Sequence, residues 1–160
     1  MNFKKLFTLV IVIFFASEVT ARLVNVSDGW VRATVSGQQA SGAFMTLTAF
    51  EDLNLVEVST PAAQMAELHE MKMDGDIMRM RPVQGGLMLL AGQHIELKPG
   101  GFHIMLMMLK KRLIEGERME LMLVFQTKQG QKIEEKVMLP VSLRASKGLQ
   151  ATHSSMTTKN

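Results

Sequence analysis

Between Val24 and Val141 apolar residues recur at every second position, in short runs closed off by glycine, proline, aspartate or asparagine. A strand sends successive side chains to opposite faces, so this pattern marks strands buried on one face; the 3.6-residue stripe of an amphipathic helix is missing. Gln93 to Lys98 shows it plainly: Ile95 and Leu97 share one face, His94, Glu96 and Lys98 the other. Further strand segments are the region of Val24, Val26, Trp30-Val31 and Val35, then Ala43–Phe50, Leu55–Ser59, Ala66–Met73, Ile77–Pro82, Arg118–Thr127 and Lys132–Val141. Phe102–Leu109 is apolar on both faces, as a central strand would be. About eight or nine short strands with turn signals about every eight to twelve residues predict an all-β sandwich or Greek-key barrel. Single helical turns are expected at Ala62–Ala66 and at Leu109–Glu115.

The first residues have a different character. Lys4 and Lys5 precede an apolar stretch from Leu6 to Ala16, and Val19-Thr20-Ala21 offers small residues for cleavage. The apolar stretch is well short of the roughly 20 residues a spanning helix needs, so residues 1–21 read as a secretory signal peptide, with an uncleaved anchor as the alternative. No cysteine follows it, so no lipoprotein-type anchor is expected. One domain is expected over residues 22–143, followed by a polar, flexible tail over 144–160 rich in Ser, Thr, Lys and Gly. Without residues 1–21 the chain holds 16 basic against 14 acidic side chains, a net +2. Its longest basic run, Lys110-Lys111-Arg112, lies by an expected turn, and aromatic residues are sparse, which argues against nucleic acid as a partner.

The chain has no cysteine and 15 methionines. Seven of these (Met71, Met73, Met78, Met80, Met105, Met107 and Met108) crowd the two segments that carry His69 and His103. Thioether sulfur is soft and carries no proton to lose, so with imidazole it favours Cu(I) over zinc, calcium or magnesium. In an oxidising compartment a thiol pair needs continual reduction to bind metal, whereas a thioether stays competent unless it is oxidised to the sulfoxide.

His69, Met80, His103 and Met105 are the candidate ligands. If Asp74-Gly75 forms a two-residue hairpin loop, His69 falls opposite Met80 with Cβ atoms about 5 Å apart. His103 and Met105, two apart on a strand, project from one face about 7 Å from each other. A blue-copper electron-transfer centre needs a thiolate, which this chain lacks. Other methionines have a plainer use: Met45, Met88, Met119, Met122 and Met138 are expected to fill the core. Met71, Met73, Met78 and Met107 are read either as neighbours of the ligands or as an apolar rim for a partner. His94 is expected to be exposed, and His153 with Met156 in the tail forms a possible weak second copper site.

The arrangement His69-x10-Met80-x22-His103-x-Met105 resembles that of the periplasmic copper chaperones of the PCu(A)C family. The resemblance extends to Gly29-Trp30-Val31-Arg32, Ser41-Gly42-Ala43-Phe44-Met45, Glu67-Leu68-His69-Glu70, Met78 to Val83 and Leu97 to Leu106, and covers most of residues 24–141. It implies a cupredoxin-like β-barrel in the periplasm that binds one Cu(I) near its surface and performs no catalysis. It also implies delivery to the copper subunit of cytochrome oxidase, at a CuA-type centre, beside a Sco-type protein. Membrane association is expected only through such partners or an uncleaved signal. The Met80-to-His103 interval is one residue longer than is usual in the family, and the Gln84–Gln93 connection, with Gly85, Gly86 and Gly92, is the expected place for the extra residue. Glu70 stands where some members have a further methionine, so no sulfur ligand is expected there. A copper buffer that sequesters without delivering, and a metal-free methionine-rich interaction module, are the alternative functions.

Overall fold

The computed structural model describes residues 22–143. The expected signal peptide and polar tail, with His153 and Met156, lie outside the described residues. The described residues form ten strands in order: β1 (Val24–Arg32), β2 (Ala40–Ala49), β3 (Leu53–Ser59), β4 (Ala63–Asp74), β5 (Ile77–Pro82), β6 (Leu87–Leu89), β7 (His94–Leu97), β8 (His103–Leu109), β9 (Arg118–Thr127) and β10 (Lys132–Ser142). The all-β expectation holds, and no helix forms among the described residues.

The strands hydrogen-bond in the order β5-β4-β8-β2-β1-β10-β9-β3-β6, an open arrangement with β7 attached to β2 off this path. Only β1 and β10 run parallel, at Val31↔Val141 and Arg32↔Ser142. β2 divides its edge: Ala40–Ala43 pair with β8, and Met45–Thr48 pair with β7. The inward face carries Val31, Ala43, Leu47, Ile104, Leu106, Leu121, Leu123 and Phe125, all fully buried. Cross-strand packing of such residues is the main stabilising term in a chain without disulfides.

β8 is the element that matters most for the site. Ile104 and Leu106 point into the core and are fully buried. By strand alternation His103, Met105 and Met107 therefore point to the opposite face. β4 flanks β8 on one side and β2 on the other, so a ligand-bearing strand lies in the middle of a four-strand section, β5-β4-β8-β2.

Several expectations change. β6 was not foreseen, because three residues are too few for alternation to show; the strand exists through its pairing with β3, at Leu53↔Leu89 and Leu55↔Leu87. Ala62–Ala66 makes no helical turn: β4 begins at Ala63, since Ala63 and Ala66 pair with Leu109 and Leu106. The expected helical turn at Leu109–Glu115 does not form: Leu109 ends β8, and residues 110–115 are irregular. They are tied down by the Lys110 N–H donating to the Ala62 carbonyl, the Leu113 N–H to Thr34 Oγ1 and Arg112 Nε to the Thr34 carbonyl. Met45 and Met119 are core residues as expected, but Met88 and Met138 are exposed and Met122 is half-buried.

The Gln84–Gln93 connection is pinned by glycine geometry. Gly86 adopts a φ of +89°, and a Cβ there would lie 2.5 Å from the Leu55 carbonyl oxygen and 2.7 Å from Asn54 Oδ1. Asn54 Nδ2 donates to the neighbouring Gly85 carbonyl. Gly86→Ala is thus expected to destabilise the fold by about 2 kcal/mol or more, from left-handed backbone strain combined with a backbone clash. Urea unfolding checks it; an unchanged midpoint would contradict the close approach.

Candidate metal centre

The β4–β5 hairpin differs from its expected register in an instructive way. Asp74 pairs with Ile77, Met73 with Met78, Met71 with Met80, and His69 with Pro82. The loop is Gly75-Asp76, with Gly75 at φ +63° and Asp76 on the negative side. That is the type II′ requirement, glycine at the first loop position, whereas an Asp74-Gly75 loop of type I′ needs positive φ at both residues. Asp74 also gains from staying in the ladder, because its carboxylate accepts a hydrogen bond from Arg81 (2.7 Å) and forms an ion pair with Arg79 (3.1 Å). His69 is therefore not opposite Met80. The shift is two residues, so side-chain parity survives and Met80 remains on the face of His69, at the diagonal position.

The direct partner of His69 is His103: the two pair across β4 and β8, and their rings meet edge-on with centroids 6.0 Å apart. Phe44 continues the row on β2, 6.4 Å from the His103 ring, and Trp30 on β1 stacks at 4.6 Å from Phe44. One step along, Met105 pairs with Glu67 on β4 and with Gly42 on β2. The Phe44 ring lies over Gly42, where an added Cβ would meet its Cζ at 2.8 Å. Glycine there lets the ring lie flat beside Met105 and His103.

His103, Met105, Met80 and Met71 line one open cavity of about 530 Å³, with Phe44, Arg32 and Gly42 among its other walls. Met80 is 45% exposed at its rim, Met105 is half-buried and His103 is 5% exposed at its base. Three of the four expected ligands thus share a cavity. His69 does not line it; it is buried behind, against the His103 ring. Met71 was foreseen only as a neighbour of the ligands or part of a rim, and the register places it opposite Met80 inside the cavity. Its position two residues after His69, on the same face, was the available signal. His94 is exposed, as expected, and shares a hydrogen bond with Thr48 Oγ1.

The imidazole nitrogens are set for metal. His103 Nδ1–H donates to the Gly101 carbonyl at 3.0 Å, which leaves the Nε2 lone pair free. His69 Nε2–H donates to Glu67 Oε2 at 2.9 Å, which leaves Nδ1 free. Both lone-pair nitrogens are buried with no hydrogen-bond partner. A buried polar atom without a partner costs about 1–3 kcal/mol, and a cation that accepts nitrogen donors relieves that cost. Fixing one ring nitrogen by a carbonyl or carboxylate is how proteins orient a histidine ligand. Among the described residues no three His, Cys, Asp or Glu side chains gather into a metal-binding group, and the thioethers of Met71, Met80 and Met105 line the same cavity as His103. The set fits a soft ion of low coordination number.

The family model described as "Putative lipoprotein LpqE-like" matches residues 24–141. A relative named "Putative lipoprotein Lxx21020", from Leifsonia xyli subsp. xyli, is 34% identical over 102 residues, which cover 64% of this chain and 61% of the relative. The chain therefore spans less than two thirds of that relative's length. Among solved structures, the apo PCuAC domain of PmoF1 is 21% identical with a TM-score of 0.57, covering 76% of this chain and 96% of its own. The Cu(I) form of DR1885 from Deinococcus radiodurans is 27% identical with a TM-score of 0.58, covering 82% and 87%. A copper-bound PCuAC domain from PmoF2 matches at 17% identity and a TM-score of 0.55, covering 76% and 95%. The chain belongs to the LpqE-like family, and its cupredoxin-like fold is that of the PCuAC domains.

Proposed function

We propose that this protein is a periplasmic Cu(I) chaperone. It binds one ion through His69, Met80, His103 and Met105 and passes it by ligand exchange to the copper centre of a respiratory oxidase. The observation that carries the reading is the cavity itself: a buried imidazole nitrogen with no partner at the base, and three thioethers on the walls. The copper-bound state of two structural neighbours, PmoF2 and DR1885, supports the same cargo. The lipoprotein names of the family and of the relative support an exported, envelope-associated protein.

The chemistry of delivery follows from the donor set. Neutral thioethers hold Cu(I) without adding negative charge, and an incoming ligand reaches the ion only if one side is open. Met80, exposed on an edge hairpin, is the ligand best placed to leave first. Met105 and His103, carried by a central strand, hold the ion until the acceptor's donors have engaged. His69 would join by turning its unpartnered Nδ1 towards the cavity, with Glu67 Oε2 accepting from Nε2–H. The expected recipient is a CuA-type site on an oxidase subunit, beside a Sco-type protein, and no catalytic step is required of this chain.

X-ray absorption on the Cu(I)-loaded protein tests the site. The expected shell contains about two sulfur and one or two nitrogen scatterers; a shell of nitrogen and oxygen alone would refute it. Loss of oxidase copper in a deletion strain is the expected cellular result. Copper sensitivity with a normally metallated oxidase would identify a buffer instead.

A further inference from the structure

The β4–β5 hairpin carries more sulfur than the cavity uses. In its register Met71 pairs with Met80 and Met73 with Met78, and residues two apart on a strand share a face. The four methionines therefore form a two-by-two block on one face of the hairpin. The opposite face is charged: Glu70 stands across from Arg81 and Lys72 from Arg79, with Asp74 binding both arginines. Met73 and Met78 are 56% and 54% exposed near the loop, while Met71 and Met80 line the cavity. The block runs without interruption from the tip of the hairpin to His103 and Met105.

Core packing does not explain the outer pair, because among the described residues Met73 and Met78 keep more than half of their surface exposed. An exposed hairpin face is ordinarily supplied by threonine or charged residues, and methionine has no special strand propensity. What methionine offers is a donor atom on a long, rotatable side chain. Cβ atoms of directly opposed residues lie about 5 Å apart, and a neighbour two along the strand lies about 7 Å away. Three such side chains can bring their sulfurs to one ion, and trigonal thioether coordination suits Cu(I) or its redox-inert analogue Ag(I).

We infer that Met73, Met78 and Met71 form a second, outer site for a soft monovalent cation, contiguous through Met71 and Met80 with the inner site. It binds more weakly, since it has no imidazole and is open to water. Each step of an ion along the block replaces one sulfur by another, so the ion is never fully released. This use as a loading route rests on the proposed function; the outer site itself does not.

Titration of the full chain with Ag(I), followed through the ¹³C-labelled methyl groups of methionine, tests the inference. In the wild-type chain the first equivalent is expected to shift Met80 and Met105, and the second Met71, Met73 and Met78. In Met73→Leu with Met78→Leu, which keeps shape and removes sulfur, the second step is expected to weaken by at least about tenfold while the first is retained. In His103→Ala with Met105→Leu the inner step is lost, and Met73 and Met78 still shift. Silence of Met73 and Met78 through both equivalents, or a second equivalent that shifts Met156 in their place, would overturn the outer site. Shifts at Met73 and Met78 without any at Met80 and Met105 would support it while refuting the inner assignment, so the two readings fail separately.

Discussion

Replacing Met80 and Met105 together by leucine is expected to lower Cu(I) affinity by at least about 100-fold, a loss of about 2.7 kcal/mol in binding. The fold should hardly notice. Met80 is exposed at the cavity rim and Met105 half-buried, and a Met-to-Leu exchange of similar volume costs less than about 1.5 kcal/mol even in a core. The substitution removes two of the cavity's three thioethers and leaves Met71 with the imidazoles, a set too poor in soft ligands to hold Cu(I) as tightly against a chelator. Anaerobic competition with a Cu(I) chelator measures the affinity, and urea unfolding of the apo-protein measures the stability. Unchanged affinity in a folded double variant would remove the thioethers from the site.

Much of this site was legible in the sequence, for a physical reason: strand alternation is strict. His103 and Met105 had to share a face wherever their strand lay, and Ile104 and Leu106 had to take the other. The same parity protected the hairpin reading. Moving the loop from Asp74-Gly75 to Gly75-Asp76 shifted every pair by two, so the methionine face stayed a methionine face while each individual partner changed. The choice between the two loops depends on the sign of φ at one aspartate, which local sequence does not specify. Relations across strands that are distant in the chain were invisible. The direct pairing of His69 with His103 depends on the register between β4 and β8, and the Phe44 ring over Gly42 on how β2 meets them. β6 escaped because its three residues are a strand only by virtue of β3.

The alternation of β8 leads to the second large effect, on the neighbour of a ligand. Leu106 is fully buried and pairs with Ala66 on β4 and Ser41 on β2. Leu106→Ala is expected to cost about 3 kcal/mol, from lost apolar burial and the cavity left behind. Yet its side chain points away from His103 and Met105, which retain their backbone pairing to β4 and β2. The folded fraction should therefore bind Cu(I) within a few-fold of the unaltered protein. Ion binding to the native state adds about 2.7 kcal/mol of stability at a free concentration 100 times the dissociation constant. Saturating Cu(I) is thus expected to raise the unfolding midpoint of Leu106→Ala most of the way back to that of the unaltered apo-protein. The Met80→Leu, Met105→Leu double variant should show the reverse pattern: near-normal apo stability and little gain from the metal. Failure of Cu(I) to rescue Leu106→Ala, with affinity falling in step with stability, would mean that the two faces of β8 are coupled and that the core residue holds the ligands in place.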